Sequence, residues 1–161
     1  MTDILTDLLN NATWPEGGEA PSGSLSAGQA KTVRKPWGEE RWLVPEGAPF
    51  GFKLIIVRAG LRTSLQYHRA KEEANLVLSG IGRLHRAESP DAPATVHPLV
   101  SGQIVHVLPG VVHRVEAVTD LVIVEVSTPE LDDVVRLADD TGRGAGRIAA
   151  EHEPQPPSAR K

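Results

Sequence analysis

The chain has 161 residues, a net charge of −4 and no cysteine. Its length suits one domain with tails. The weak negative charge and scattered basic residues exclude the electrostatic pattern of a nucleic-acid binder, and the lack of cysteine excludes disulfides, Cys-rich zinc modules and Cys nucleophiles. MTDILTDLLN carries no basic region or long apolar core, so it does not read as a secretory signal. No apolar run is long enough to span a bilayer. Together these features predict a cytoplasmic protein.

Residues 1–30 are expected to form a flexible extension. Ile4, Leu5, Leu8 and Leu9 have the spacing of a short amphipathic helical turn, followed by the linker-like PEGGEAPSGSLSAGQA. From residue 31 the pattern turns to β. Phe52–Val57 is a compact β-branched run ended by Arg58-Ala59-Gly60. Thr63–His68 alternates, and Ala74–Leu78 stops at Ser79-Gly80. Ile81–Arg86 returns from that turn, and Thr95–Leu99 is short. Ile104–Leu108 stops at Pro109-Gly110, and His113–Ala117 and Leu121–Ser127 flank Thr119-Asp120. Short strands at regular spacing between Gly and Pro turns predict an all-β double-sheet sandwich or barrel. Leu131–Ala138, entered after Thr128-Pro129-Glu130, is expected to be a short C-terminal helix, with Asp132 and Arg136 as a supporting i,i+4 ion pair. The folded domain is placed at 31–145, and the Pro-rich 146–161 is expected to be a disordered tail.

Within this β pattern four residues carry the strongest chemical signal. Gln66 and His68 are two apart, so on a strand they point to one face. Glu73 follows after a short polar stretch, and His113 lies beyond the Pro109-Gly110 turn. His and Glu are strong divalent-metal ligand types, and Gln adds a neutral carbonyl oxygen. Their convergence would make a mononuclear metal site.

The spacing around these residues resembles the cupins, small double-stranded β-helix barrels with a metal in the mouth. Gly60, Gln66, His68, Glu73 and Gly80 match every interval of the first cupin motif, with Gln in place of the first His. Gly102, Gly110 and His113 follow the second, with Leu108 and Ala117 replacing its Pro and Asn. A longer series is similar to the mannose-6-phosphate isomerase domain found at the end of bifunctional mannose-1-phosphate guanylyltransferases. It comprises Lys35-Pro36-Trp37-Gly38, FKLIIVRAG, SLQYH, VVHRV and IVEVSTPELDDVVRLADDTGR. That resemblance covers roughly residues 33–143 and implies Gln, His, Glu and His as the family's own ligand set. It also implies a homodimer. Two positions depart from the pattern: Lys71 stands where the family has Arg, and Asn75 where it has Trp.

The resemblance implies an aldose–ketose isomerase acting on a phosphorylated sugar through a metal-stabilised enediolate. Zn2+ suits the mixed N/O ligand set, with Mn2+, Fe2+, Ni2+ or Co2+ as alternatives. Lys71 and Glu72 are the catalytic candidates, and His85 and Glu125 are further candidate bases. Lys53, Arg62, Arg69, Lys71 and Arg114 form the pool for a substrate phosphate. Two other functions fit the same barrel: a metal-dependent oxygenase or tailoring enzyme, and a non-catalytic sugar-binding cupin. Parity on the strands assigns Arg114 a structural role and sets His106, Arg83 and His85 on outer faces. His97 is expected to be exposed, and His152, in the tail, to be inert.

Overall fold

In a computed structural model of the chain, residues 22–23 and 29–153 are described. The predicted turn at Ile4–Leu9 and most of the linker lie outside them, as does 154–161. Eleven strands form two antiparallel sheets among these residues. They are β1 Lys31–Lys35, β2 Gly38–Trp42, β3 Gly51–Val57, β4 Leu65–Tyr67, β5 Glu73–Ser79 and β6 Ile81–Ala87. β7 Thr95–Val100, β8 Ile104–Val107, β9 Val112–Ala117, β10 Leu121–Ser127 and β11 Val135–Ala138 complete the set. One sheet runs β1-β2-β3-β10-β5-β8 and the other β11-β4-β9-β6-β7. The expected all-β, double-sheet architecture is therefore present.

Two glycines fix tight reversals. Gly38 has φ +147° where β1 turns into β2, and a Cβ there would lie 2.0 Å from the Ile56 carbonyl oxygen. Gly80 has φ +94° and is the one residue between β5 and β6, where the chain passes from one sheet to the other. Its Cβ would meet the Asp120 carbonyl oxygen at 2.2 Å. Only glycine combines that backbone with so close an approach.

Alternation along the central strands divides the interior into a dry half and a polar half. On β10 the residues of one parity run Leu121, Ile123, Glu125, Ser127, and on β3 their partners run Val57, Ile55, Lys53, Gly51. On β5 the matching positions are Val77, Asn75 and Glu73. One end is thus Val and Leu packed with Trp37, Leu84, Leu99 and Ala117 in the main buried cluster. The other end carries charged and amide groups on the same face. Burying an apolar side chain contributes about 1.5–3 kcal/mol, so the dry end supplies the stability that tolerates polar groups at the other.

The chain between Leu131 and Ala138 is not helical. Backbone bonds from Leu131 to Pro129, Asp133 to Glu130 and Val134 to Asp132 make a run of turns, and β11 then pairs with β4 at the sheet edge. The short helix comes later, as α1 at Ala149–His152. It falls within the stretch expected to be a disordered tail, yet it packs against β1. Lys35 reaches Glu151 at 2.8 Å, Arg143 reaches Glu151 at 3.1 Å, and the His152 ring meets Trp42 edge-on at 5.5 Å. With no helix spanning 132–136, the Asp132–Arg136 pair does not form; Asp132 faces Arg147 instead.

Candidate metal centre

The polar end opens into a cavity of about 110 Å³ that reaches the strap formed by Arg143–His152. A single water needs about 10–15 Å³ of such space, so the cavity admits a small organic ligand. At its base the ligand atoms of His68, Glu73 and His113 all lie within 4.8 Å of one another, and all three residues are buried. His68 Nε2 is 3.0 Å from Glu73 Oε1, and His113 Nε2 is 3.8 Å from Glu73 Oε2. Gln66 sits directly across the β4–β9 pair from His113 and also lines the cavity. Its side-chain oxygen accepts a 2.6 Å bond from Ser64 Oγ, which fixes the amide and leaves a second lone pair. The sequence placed these four residues together, and the fold brings them to one end of the barrel.

The imidazoles are prepared to ligate. His68 Nδ1 contacts the Asp133 carbonyl, and His113 Nδ1 is 3.1 Å from the Val111 carbonyl. A carbonyl only accepts, so each Nδ1 carries the proton, and in the neutral ring Nε2 presents a lone pair. His68 Nε2 is fully buried and has no hydrogen-bond partner. An orphaned buried nitrogen aimed at a carboxylate and a second imidazole is the donor set of a divalent ion with N/O preference. Burial pushes the His113 imidazole below its ordinary value despite the Glu73 carboxylate, which keeps it neutral. For Glu73, burial acts to raise the carboxyl. The Lys71 ammonium beside it overcomes that and holds the group well below the usual range.

Lys71 is not a solvated loop charge. It is buried, with Nζ 2.5 Å from Glu73 Oε1 and 3.1 Å from Glu125 Oε1. Burial alone would lower its pKa, but the carboxylates of Glu125 and Glu73 raise it above the ordinary lysine value. It therefore stays an ammonium. The charges continue outward: Lys53 is 3.8 Å from Glu125 and 3.4 Å from Glu40, and Lys35 is 3.5 Å from Glu40. Burial would raise Glu40, yet Lys53 and Lys35 bring it to about 2. Asn75 donates to Glu73 Oε2 at 3.2 Å, so the two departures from the family pattern both grip the same carboxylate.

Glu72 does not join this group. It is exposed and pairs with His106 at 2.6 Å, because the residue before an inward Glu73 on β5 faces the other way. His85 and Arg83 both bond Glu116 on the outer face. Arg114 holds the Thr63 and Ala138 carbonyls, a structural role as expected. Asp133, Glu40, Trp42 and Arg136 were not singled out for the site. The Asp133 carboxylate takes the backbone N–H groups of Ala70 at 2.6 Å and Lys71 at 3.1 Å, while its carbonyl orients His68. For Glu40 and Trp42 a signal existed: they are two apart on β2, hence on one face, and Trp42 Nε1 donates to Glu40 at 3.0 Å.

The family described as "Mannose-6-phosphate isomerase C-terminal" matches residues 23–139. The chain belongs to that family. It is 31% identical over 127 residues to the "Xanthan biosynthesis protein XanB" of Xanthomonas campestris pv. campestris, covering 76% of this chain and 26% of that protein. The chain thus spans about a quarter of the curated relative it matches. Among solved structures, the capsular polysaccharide assembling protein CapF from Staphylococcus aureus superposes with a TM-score of 0.59 at 19% identity, over 68% of this chain and 34% of that one. Oxalate decarboxylase from Bacillus subtilis superposes with a TM-score of 0.60 at 14% identity, over 76% and 34% respectively. At such identities the likeness concerns the fold, which is that of a cupin. Among the described residues no helix is long and apolar enough to cross a membrane.

Proposed function

We propose that this chain is a divalent-metal-dependent isomerase of a phosphorylated sugar, of the mannose 6-phosphate type, with Gln66, His68, Glu73 and His113 as metal ligands. The observation that carries the reading is the buried, unpartnered His68 Nε2 converging with Glu73 and His113 at the floor of an open cavity. A bound ion, Zn2+ by ligand preference, would supply Lewis acidity toward a substrate carbonyl.

The remaining work falls to the chain's own groups. Glu125 lines the cavity, with Oε1 shared by two lysines and no partner on Oε2 among the described residues. It is the carboxylate best placed to remove the proton from C2 of the open-chain aldose. The C2–H electron pair forms the C1–C2 double bond, and the carbonyl pair moves onto O1. Lys71, held as an ammonium, donates to the oxygen on which that charge develops. Glu125 then returns the proton to C1 while the hydroxyl proton passes from O2 to O1, which leaves the ketose. Glu72, outside the cavity, has no part in this scheme.

The test is turnover of mannose 6-phosphate by zinc- or manganese-loaded protein, coupled to detection of fructose 6-phosphate. Absence of turnover with any hexose or pentose phosphate would sink the isomerase reading, and oxygen uptake with Fe2+ would replace it with an oxygenase. A cytoplasmic homodimer belongs to the same proposal, and light scattering reports the oligomeric state.

A further inference from the structure

Three arginines line the cavity near the strap, and two of them are matched by carboxylates. Arg143 takes Asp139 at 2.7 Å and Glu151 at 3.1 Å. Arg147 takes Glu46, with Asp132 at 3.8 Å. Arg136 differs. Its Nη1 donates to the carbonyls of Gly144 and Gly146, and no carboxylate lies within ion-pair distance among the described residues. Its Nε is buried without a partner, and Nη2 makes no hydrogen bond among the described residues. The Nε–Nη2 edge is the two-pronged face of a guanidinium, the one that fits a planar carboxylate or two oxygens of a phosphate. A buried unsatisfied donor on a fixed charge is costly, so a structure that keeps one needs a reason.

Its position supplies the reason. Arg136 on β11 is directly opposite Gln66 on β4, and Gln66 is directly opposite His113 on β9. Residues opposed in this way share a face. The three form a row across the inner surface, so Arg136 stands two strands, about 10 Å, from His113. The two carbonyls on Nη1 lock the guanidinium in place before any ligand arrives.

We propose that the Nε–Nη2 edge of Arg136 binds the phosphoryl group of the substrate and so sets the distance between that group and the reacting carbons. This rests on the sugar-phosphate reading above for the identity of the ligand, while the anion site itself is read from Arg136. In a hexose 6-phosphate the phosphate lies at the opposite end of the carbon chain from C1 and C2, as this row of residues requires. A sugar without an oxyanion leaves the edge unsatisfied and is discriminated against.

Calorimetric titration of inorganic phosphate into the 161-residue chain, and of mannose 6-phosphate and mannose into the zinc-loaded chain, tests the assignment. Wild-type protein is expected to bind phosphate. Arg136→Gln should weaken phosphate and mannose 6-phosphate binding by about tenfold or more, and leave mannose binding and bound metal unchanged. Arg136→Lys, which keeps a donor but not the fork, should bind phosphate more weakly than wild type at an unchanged melting temperature. Glu151→Gln loosens the strap without a contact to Arg136 and removes a nearby negative charge, so phosphate should bind no more weakly than to wild type. Equal phosphate affinity in Arg136→Gln, an equal loss in Glu151→Gln, or no phosphate binding by wild type overturns the proposal. Phosphate binding as expected with no isomerase turnover would leave the anion site standing and the isomerase reading lost. Isomerase turnover with unchanged KM in Arg136→Gln would do the reverse.

Discussion

Replacing Lys71 by Met removes the cation that sits between two buried carboxylates. Its Nζ is 2.5 Å from Glu73 and 3.1 Å from Glu125, and all three side chains are at most 5% exposed. Taking away one partner of a buried pair leaves an uncompensated charge and costs about 3–5 kcal/mol. For a folded part of this size that lowers the melting temperature by on the order of 10 °C in metal-free protein. Lys53 lies 3.8 Å from Glu125 and absorbs part of the loss, so the lower end of the range is expected. Adding Glu125→Leu removes one of the two stranded carboxylates and should recover part of the stability, while Glu73 stays uncompensated in the metal-free protein. Zinc should also narrow the gap between Lys71→Met and wild type, because a second cation on Glu73 compensates the same charge. Urea denaturation of the two single variants and the double variant, with and without zinc, measures these terms. A Lys71→Met protein within about 1 kcal/mol of wild type without metal, or a double variant no better than the single, would refute the reasoning.

The acid limb of stability should report Glu40. Its folded pKa of about 2 lies below the unfolded 4.5, so its contribution is present above pH 4.5 and is lost as pH falls toward 2. That amounts to about 3 kcal/mol, and Glu40→Gln should flatten the limb in stability measured between those pH values. Gly38→Ala should destabilise by about 3 kcal/mol or more, because a Cβ 2.0 Å from the Ile56 carbonyl oxygen must push β2 off β3; equilibrium denaturation checks it. Glu72→Gln touches only His106 on the surface and should leave metal stoichiometry and turnover within about twofold.

The strands were legible because their period-2 alternation and Gly turns are local signals. Val57, Val77, Leu121 and Ile123, read as apolar strand residues, are indeed buried. The ligands were legible for the same reason: Gln66 and His68 share a parity, and the motif spacing set Glu73 and His113 beside them. Leu131–Ala138 was misread because Leu131, Val134 and Val135 repeat at helical intervals. Only pairing with β4, more than sixty residues earlier, makes a strand of it. The same error hid Arg136 in an imagined helical ion pair and Asp133 on a helix face. Lys71 could not be read locally, since its two carboxylates come from β5 and from β10, and the fold alone brings them to one ammonium. The helix at Ala149–His152 is short and polar, and Lys35, Arg143 and Trp42 hold it from a distance.

Metal content of the purified chain tests the central claim most directly. Elemental analysis after dialysis against zinc should find about one ion per wild-type chain. The His68→Ala and His113→Ala variants, folded by circular dichroism, should retain almost none. A doubly substituted protein that still holds zinc stoichiometrically would contradict the assignment of Gln66, His68, Glu73 and His113 as the metal site.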